Sequence, residues 1–172
     1  MGKIILHIAT SIDGFIADEQ GGVSWLDDYM KDGEDYGMGA FFKSVDKCIM
    51  GSKSYEFMLS FNYWYPDMAG YIFTTRNLKK MEGAEINFCQ GDPARLVEKL
   101  RSNKKDIWLV GGTSLITPFI NENLLDEMVI TIVPKILGKG LPLFQNIDKQ
   151  KVPTLIASKA YPDGVVQVSY QF

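Results

Sequence analysis

The chain has 172 residues, 46% hydrophobic and 23% charged, with a formal net charge of −3 and a pI near 5.2. Such proportions suit a globular protein with one sizeable core. They exclude nucleic acid as the main partner, because phosphate binding needs a concentrated Lys/Arg footprint and no basic block occurs.

The opening stretch, MGKIILHIATSIDG, has no apolar h-region with a small-residue cleavage site and no Ser/Thr to complete a myristoylation signal after Gly2. No apolar run approaches the roughly 18 residues of a membrane span. Cys48 and Cys89 stand far apart and match neither a disulfide framework nor a zinc motif. A reducing cytoplasm and no metal are expected.

Residues 3–9 (KIILHIA) form a near-continuous apolar run, as in a strand buried on both faces. His7 lies mid-strand without an acidic or nucleophilic neighbour in sequence, and is expected to be a satisfied core residue. The strand gives way to ATSIDGFIAD (9–18), where Asp13 precedes Gly14. A carboxylate beyond the carboxyl end of a parallel strand is placed for proton transfer. An Asp-Gly turn, with the carboxylate bonded to backbone amides, is the simpler explanation from these residues alone.

The next strand, KCIM (47–50), ends at Gly51, and Ser52, Lys53 and Ser54 open a helix. Free N–H groups at a helix start make a phosphate seat; ordinary N-capping by Ser52 or Ser54 is the alternative. GYIFTT (70–75) is a further strand, and Thr74, Thr75 and Arg76 stand at its end. Arginine is the residue that distinguishes a ribose 2′-phosphate from a hydroxyl. AEINFC (84–89) precedes the clearest helix, GDPARLVEKLRS, in which Asp92 caps, Pro93 takes the first position and Leu96, Val97 and Leu100 share a face. DIWLV (106–110) then ends in Gly111-Gly112, with Thr113-Ser114 starting another helix. This is either a tight turn or a second anion seat.

Strands alternating with helices predict a largely parallel α/β sheet. The last third differs: 127–137, 154–161 and 164–172 read as strands without intervening helices, and Pro162-Asp163-Gly164 as a hairpin turn. The GKG at 138–140 lacks a strand-to-helix context and reads as a turn. No repeat or long linker interrupts the chain, so one domain over 1–172 is expected. G-x-G-x-x-G and G-x-x-x-x-G-K-[ST] are both missing. Several phosphate-friendly strand ends in one parallel sheet nevertheless point to an extended polyanion such as a dinucleotide.

Taken in order, S-x-D-G-x-I-A near the N-terminus, M-G-x-x-[ST]-Y-E near 50, [ST]-R-N near 75, GG near 111 and P-x-x-L-G-x-G-x-P-L-F over 134–144 resemble the dihydrofolate-reductase-like superfamily. The branch most similar holds the reductase domain of the bifunctional riboflavin-biosynthesis protein (the RibD C-terminal domain) and its stand-alone relatives. The resemblance implies a three-layer α/β/α fold, with a mostly parallel central sheet and antiparallel C-terminal strands, and NADPH lying across the strand ends. By motif match, Ala9, Ile16 and Ala17 would border the nicotinamide. Gly51, Ser52, Lys53 and Ser54 would hold phosphates, Thr75 and Arg76 the adenosine 2′-phosphate. Gly111, Gly112, Thr113 and Ser114 would wrap the pyrophosphate, with a cis 111–112 peptide.

The same resemblance implies an NADPH-dependent oxidoreductase that passes hydride to a C=N-type carbon, most like 5-amino-6-(5-phosphoribosylamino)uracil reductase, with Asp13 as the catalytic group. Alternatives are a dihydrofolate or pterin reductase using Asp27 or Asp28, although VSWLDDYM departs from that family's Trp-to-acid spacing, and a non-catalytic nucleotide-binding member. Two acids at a helix start also have a dipole explanation. A homodimer is implied. The zinc deaminase motifs that often accompany this reductase, H-x-E and P-C-x-x-C, are absent.

Overall fold

The structure, a computed structural model, describes residues 1–30, 33–102 and 104–172. In chain order it contains β1 (Ile4–Ser11), β2 (Phe15–Ala17), a 3-10 helix (Ser24–Tyr29), α1 (Met38–Ser44), β3 (Val45–Gly51), α2 (Ser52–Ser60), β4 (Ala69–Phe73) and β5 (Ile86–Cys89). There follow α3 (Pro93–Leu100), β6 (Asp106–Gly111), α4 (Thr113–Asn121), β7 (Glu127–Val133), β8 (Leu141–Pro142), β9 (Thr154–Ala160) and β10 (Val166–Gln171).

Eight strands form one sheet in the order β5-β4-β3-β6-β1-β7-β10-β9, and β2 pairs with β8 in a small second sheet. The pairings from β5 across to β7 are parallel, and β10 is antiparallel to both β7 and β9. The near-continuous apolar runs are explained by burial on both faces. Ile4, Leu6, Ile49, Ile107 and Leu109 pack with Val97 and Leu100 of α3 and Ile116 and Phe119 of α4 on one side. Cys48, Met50, Ile72 and Trp108 pack with Tyr55 of α2 and with Phe41 and Phe42 of α1 on the other. Complete burial of each such aliphatic side chain contributes about 1.5–3 kcal/mol. Three layers result, as the resemblance implies.

Local chemistry sets the ends of the elements. Asp92 accepts from Ala94 N at 2.8 Å and Pro93 begins α3, as expected. Gly164, at φ +88°, donates to Tyr161 O and closes the expected β9–β10 hairpin. Two strands are shorter than the sequence predicts. β7 stops at Val133 rather than running to 137, because Pro134 has no N–H to donate. β4 stops at Phe73 because Thr74 Oγ1 accepts from Arg76 N at 3.0 Å and folds the chain into a turn. β2, β8 and α1 carry no periodicity of their own; α1 has no buried residue.

Candidate active site

The sheet order sets the four predicted strand ends side by side. Reading across β4, β3, β6 and β1, their carboxyl ends present Thr75-Arg76, Gly51 to Ser54, Gly111 to Ser114, and Ala9 to Asp13. Three inter-strand steps span about 14 Å, the scale of an extended dinucleotide. At the centre, a Cβ added to Gly51 would meet nothing within 4 Å, so space is open above it. A Cβ on Gly112 would come to 3.8 Å from Ser54 Oγ, so the two glycine loops face each other across adjacent strands. Neither Ser52 nor Ser54 caps α2, whose N-cap is Gly51, and α4 likewise starts at Gly112 without a side-chain cap. The ordinary capping explanation of these serines therefore does not hold, and the first-turn amides keep their partial positive charge.

The 111–112 peptide is not cis: no cis bond occurs among the described residues. The chain turns instead through positive φ at both glycines, +120° at Gly111 and +95° at Gly112. Their roles differ. Gly111 is buried, and a Cβ there would press to 3.0 Å on Ile8 and 3.4 Å on Ile116, whereas Gly112 borders the open side. Thr113 is buried and its hydroxyl donates to Pro142 O, tying α4 to β8; Ser114 and Lys53 are exposed. Thr75 is exposed, and the Arg76 guanidinium is held by both oxygens of Glu56, at 3.0 and 2.6 Å.

At the β1 end, Ala9 and Ile16 are half-buried and Ala17 is buried. Gly140 of the GKG segment lies so close that a Cβ would sit 2.2 Å from Ala17 O. That glycine serves a close backbone approach and not a phosphate loop. The exposed Asp13 carboxylate accepts from Ser11 Oγ at 2.7 Å, Leu137 N at 3.1 Å and Gly138 N at 2.7 Å. These donors, Ser11 first, hold its carboxyl below the usual aspartate value. Asp27 and Asp28 lie in the 3-10 helix, and Asp28 pairs with Lys135 at 3.1 Å. Since Ile12 N donates to Lys135 O, Asp28 and Asp13 both anchor on the segment after β7.

Beside Ala9, on the face of β1 toward the 3-10 helix and α1, two buried polar atoms lack a partner among the described residues: His7 Nδ1 and Trp25 Nε1. His7 is thus not the satisfied core residue that the sequence suggests. Its neighbour Gln167 donates instead to Thr131 Oγ1 and to Tyr36 O, both at 3.0 Å, and stands 3.5 Å from His7 Nε2. Burial pushes the His7 imidazole from 6.5 down to about 4. The unfolded chain therefore binds this proton first on acidification. Stability present above pH 6.5 falls as the pH drops toward 4, by about 3 kcal/mol in all. Urea unfolding across this window should show that loss in the wild type and a flatter dependence in His7→Leu.

The line of strand ends continues to β5. There a cavity of about 340 Å³ is lined by Phe73, Cys89, Gln90, Gly91, Asp92, Arg95 and Leu96. In the sequence this stretch reads only as a strand end followed by a helix cap, and Glu56 only as the last residue of M-G-x-x-[ST]-Y-E. The available signal was that Cys89-Gln90-Gly91-Asp92 repeats the strand–glycine–helix design of the other ends. No cluster of three metal-ligating side chains occurs among the described residues, and no helix there is long and apolar enough to cross a membrane.

A family profile described as the RibD C-terminal domain matches residues 2–167. Two uncharacterized proteins of Bacillus subtilis (strain 168) are each 32% identical: YwjB over 95% of this chain and 94% of its own, and YyaP over 99% and 95%. A protein of Shewanella sp. PV-4 assigned to riboflavin biosynthesis superposes with a TM-score of 0.86 at 30% identity, covering 99% of this chain and 98% of that one. At 15% identity, where only the fold is informative, two more structures superpose over 99% of this chain. One is the Thermotoga maritima deaminase/5-amino-6-(5-phosphoribosylamino)uracil reductase, with a TM-score of 0.77 over 56% of its length. The other is the Enterococcus faecalis dihydrofolate reductase complexed with NADP(H), with 0.71 over 96%.

Proposed function

Because the chain belongs to the RibD C-terminal domain family, we propose that it is an NADPH-dependent reductase of a small heterocyclic or ribosylamino substrate, of the type that reduces 5-amino-6-(5-phosphoribosylamino)uracil. The observation that carries this reading is the order of the strand ends. With the roles that the family resemblance implies for them, the ends of β4, β3, β6 and β1 would meet a dinucleotide in the order 2′-phosphate, pyrophosphate, nicotinamide, and the sheet order supports that reading. The cavity beside β5 would take the adenine.

The site fits such a cofactor in three respects. Space is open above Gly51, two uncapped helix starts adjoin it, and Gly112 faces Ser54 without a side chain between them. When bound, NADPH would supply the hydride. The chain's own part is positioning. The amides at the starts of α2 and α4 hold the diphosphate, and Thr75 and Arg76 hold the adenosine end. Ala9, Ile16 and Ala17 form the wall of the nicotinamide pocket. Asp13, held ionised by its three donors, does not donate the proton itself; it orients a water or receives a proton from the ring-opening substrate. His7 Nδ1 and Trp25 Nε1, buried beside Ala9 without partners among the described residues, suit a substrate that brings its own polar edge, since buried polar groups without bonds are rare.

We read the chain as one cytoplasmic domain and as a homodimer. Every residue of β9 is exposed, and among the described residues one side of this strand has no sheet partner. An open strand edge bearing Leu155 and Ile156 suits a second copy. The enzymatic test follows the absorbance of reduced nicotinamide with the phosphoribosylaminopyrimidine and, separately, with dihydrofolate. Turnover of the first is expected. Turnover of dihydrofolate alone, sensitive to Asp27→Asn or Asp28→Asn, would favour the pterin reading. Binding without turnover of either substrate would favour a non-catalytic member.

A further inference from the structure

We propose that Glu56 and Arg76 act as one subsite that reads the 2′ position of the cofactor's ribose, and that Glu56 makes it accept NADH alongside NADPH. The inference rests on the dinucleotide reading above. Arg76 is the cation on which discrimination for a 2′-phosphate would depend, yet both of its terminal nitrogens are committed to the Glu56 carboxylate, at 3.0 and 2.6 Å. The backbone of Arg76 is fixed as well, donating to Thr74 Oγ1 while Thr74 Oγ1 donates to Arg76 O. Glu56 lies four residues after Ser52 on α2, so it shares a helix face with the phosphate end of the site, one turn further on. Both side chains remain substantially exposed, 52% for Arg76 and 40% for Glu56, so a ligand can reach either.

The chemistry of the pair follows from its charges. A 2′-phosphate carries nearly two negative charges, gains the arginine fork and is repelled by the carboxylate beside it. A 2′-hydroxyl has a proton to donate and finds in Glu56 the acceptor that NAD-selective sites use. A lone arginine rewards only the phosphate; the pair, neutral overall, narrows the difference. Other cations nearby are Lys53 at the start of α2 and Arg95 in the cavity beside β5.

The test is a fluorescence titration of the full chain with NADPH and with NADH at low ionic strength. In the wild type the two dissociation constants should lie within about ten-fold of each other. Glu56→Gln should tighten NADPH by about five- to ten-fold and leave NADH unchanged or weaker, widening the ratio. Arg76→Ala should weaken NADPH by about ten-fold and NADH little. A wild-type preference above about a hundred-fold that Glu56→Gln does not move overturns the inference while leaving the reductase reading intact. Loss of discrimination in Arg95→Ala instead of Arg76→Ala likewise overturns it, by placing the 2′ group beside β5. Failure of the wild type to bind either nucleotide removes both the reductase reading and this one.

Discussion

Gly112→Ala should lose NADPH affinity by about ten-fold or more and stay folded, whereas Gly111→Ala should lose stability first. The two neighbours look equivalent in sequence, and the structure separates them. At Gly112 the added methyl would stand 3.8 Å from Ser54 Oγ, an ordinary contact, but inside the gap proposed for the diphosphate. Its φ of +95° adds strain of about 1–3 kcal/mol, within the stability of a typical domain. At Gly111 similar strain is joined by tight contacts with Ile8 at 3.0 Å and with Ile116 of the core at 3.4 Å. Thermal unfolding and NADPH titration of both variants check the contrast. Equal losses of stability, with NADPH affinity unchanged in Gly112→Ala, would make the pair a simple turn.

Asp13→Asn should lower turnover by about a hundred-fold and change NADPH affinity by no more than about three-fold. Asparagine keeps one acceptor for Ser11 Oγ and Leu137 N, but turns an amide toward Gly138 N, which needs an acceptor. It also removes the negative charge that a protonating water or ring-opening substrate would use. Because the Asp13 carboxyl is held below its ordinary value of 3.8, the ionised form persists as the pH falls past that value. Any contribution it makes to stability is present above the unfolded-state value and is lost only below it. The acid limb of activity from this group therefore lies below the ordinary aspartate range. Matched losses in turnover and NADPH affinity would show that Asp13 serves only to clip the 137–138 segment.

The individual strands and their ends were legible in the sequence because each carries a local signature: an apolar run, then a glycine or hydroxyl, then a helix start. Their lateral order was not. β3, β6 and β1 are neighbours in space but separated in the chain, and local periodicity carries no record of which strands pair. For the same reason Glu56, the last residue of the M-G-x-x-[ST]-Y-E motif, carries no sign in the sequence that it meets Arg76 twenty residues on. β7 ends at Val133, short of the apolar run to 137, because hydrophobicity carries no mark of the N–H that Pro134 lacks. Whether the buried His7 imidazole finds partners depends on Gln167, distant in the chain, whose amide is used elsewhere. The cis peptide came from family resemblance alone, and the positive φ values of the glycines supply the turn without it.

We propose one dinucleotide site across the ends of β4, β3, β6 and β1. Titrating the wild-type protein with NADPH, and following nucleotide fluorescence, tests it most directly. Saturable binding to one site per chain, with a dissociation constant of about 10 μM or tighter and markedly weakened in Gly112→Ala, is the expected result. An absence of saturation up to about 500 μM would contradict it.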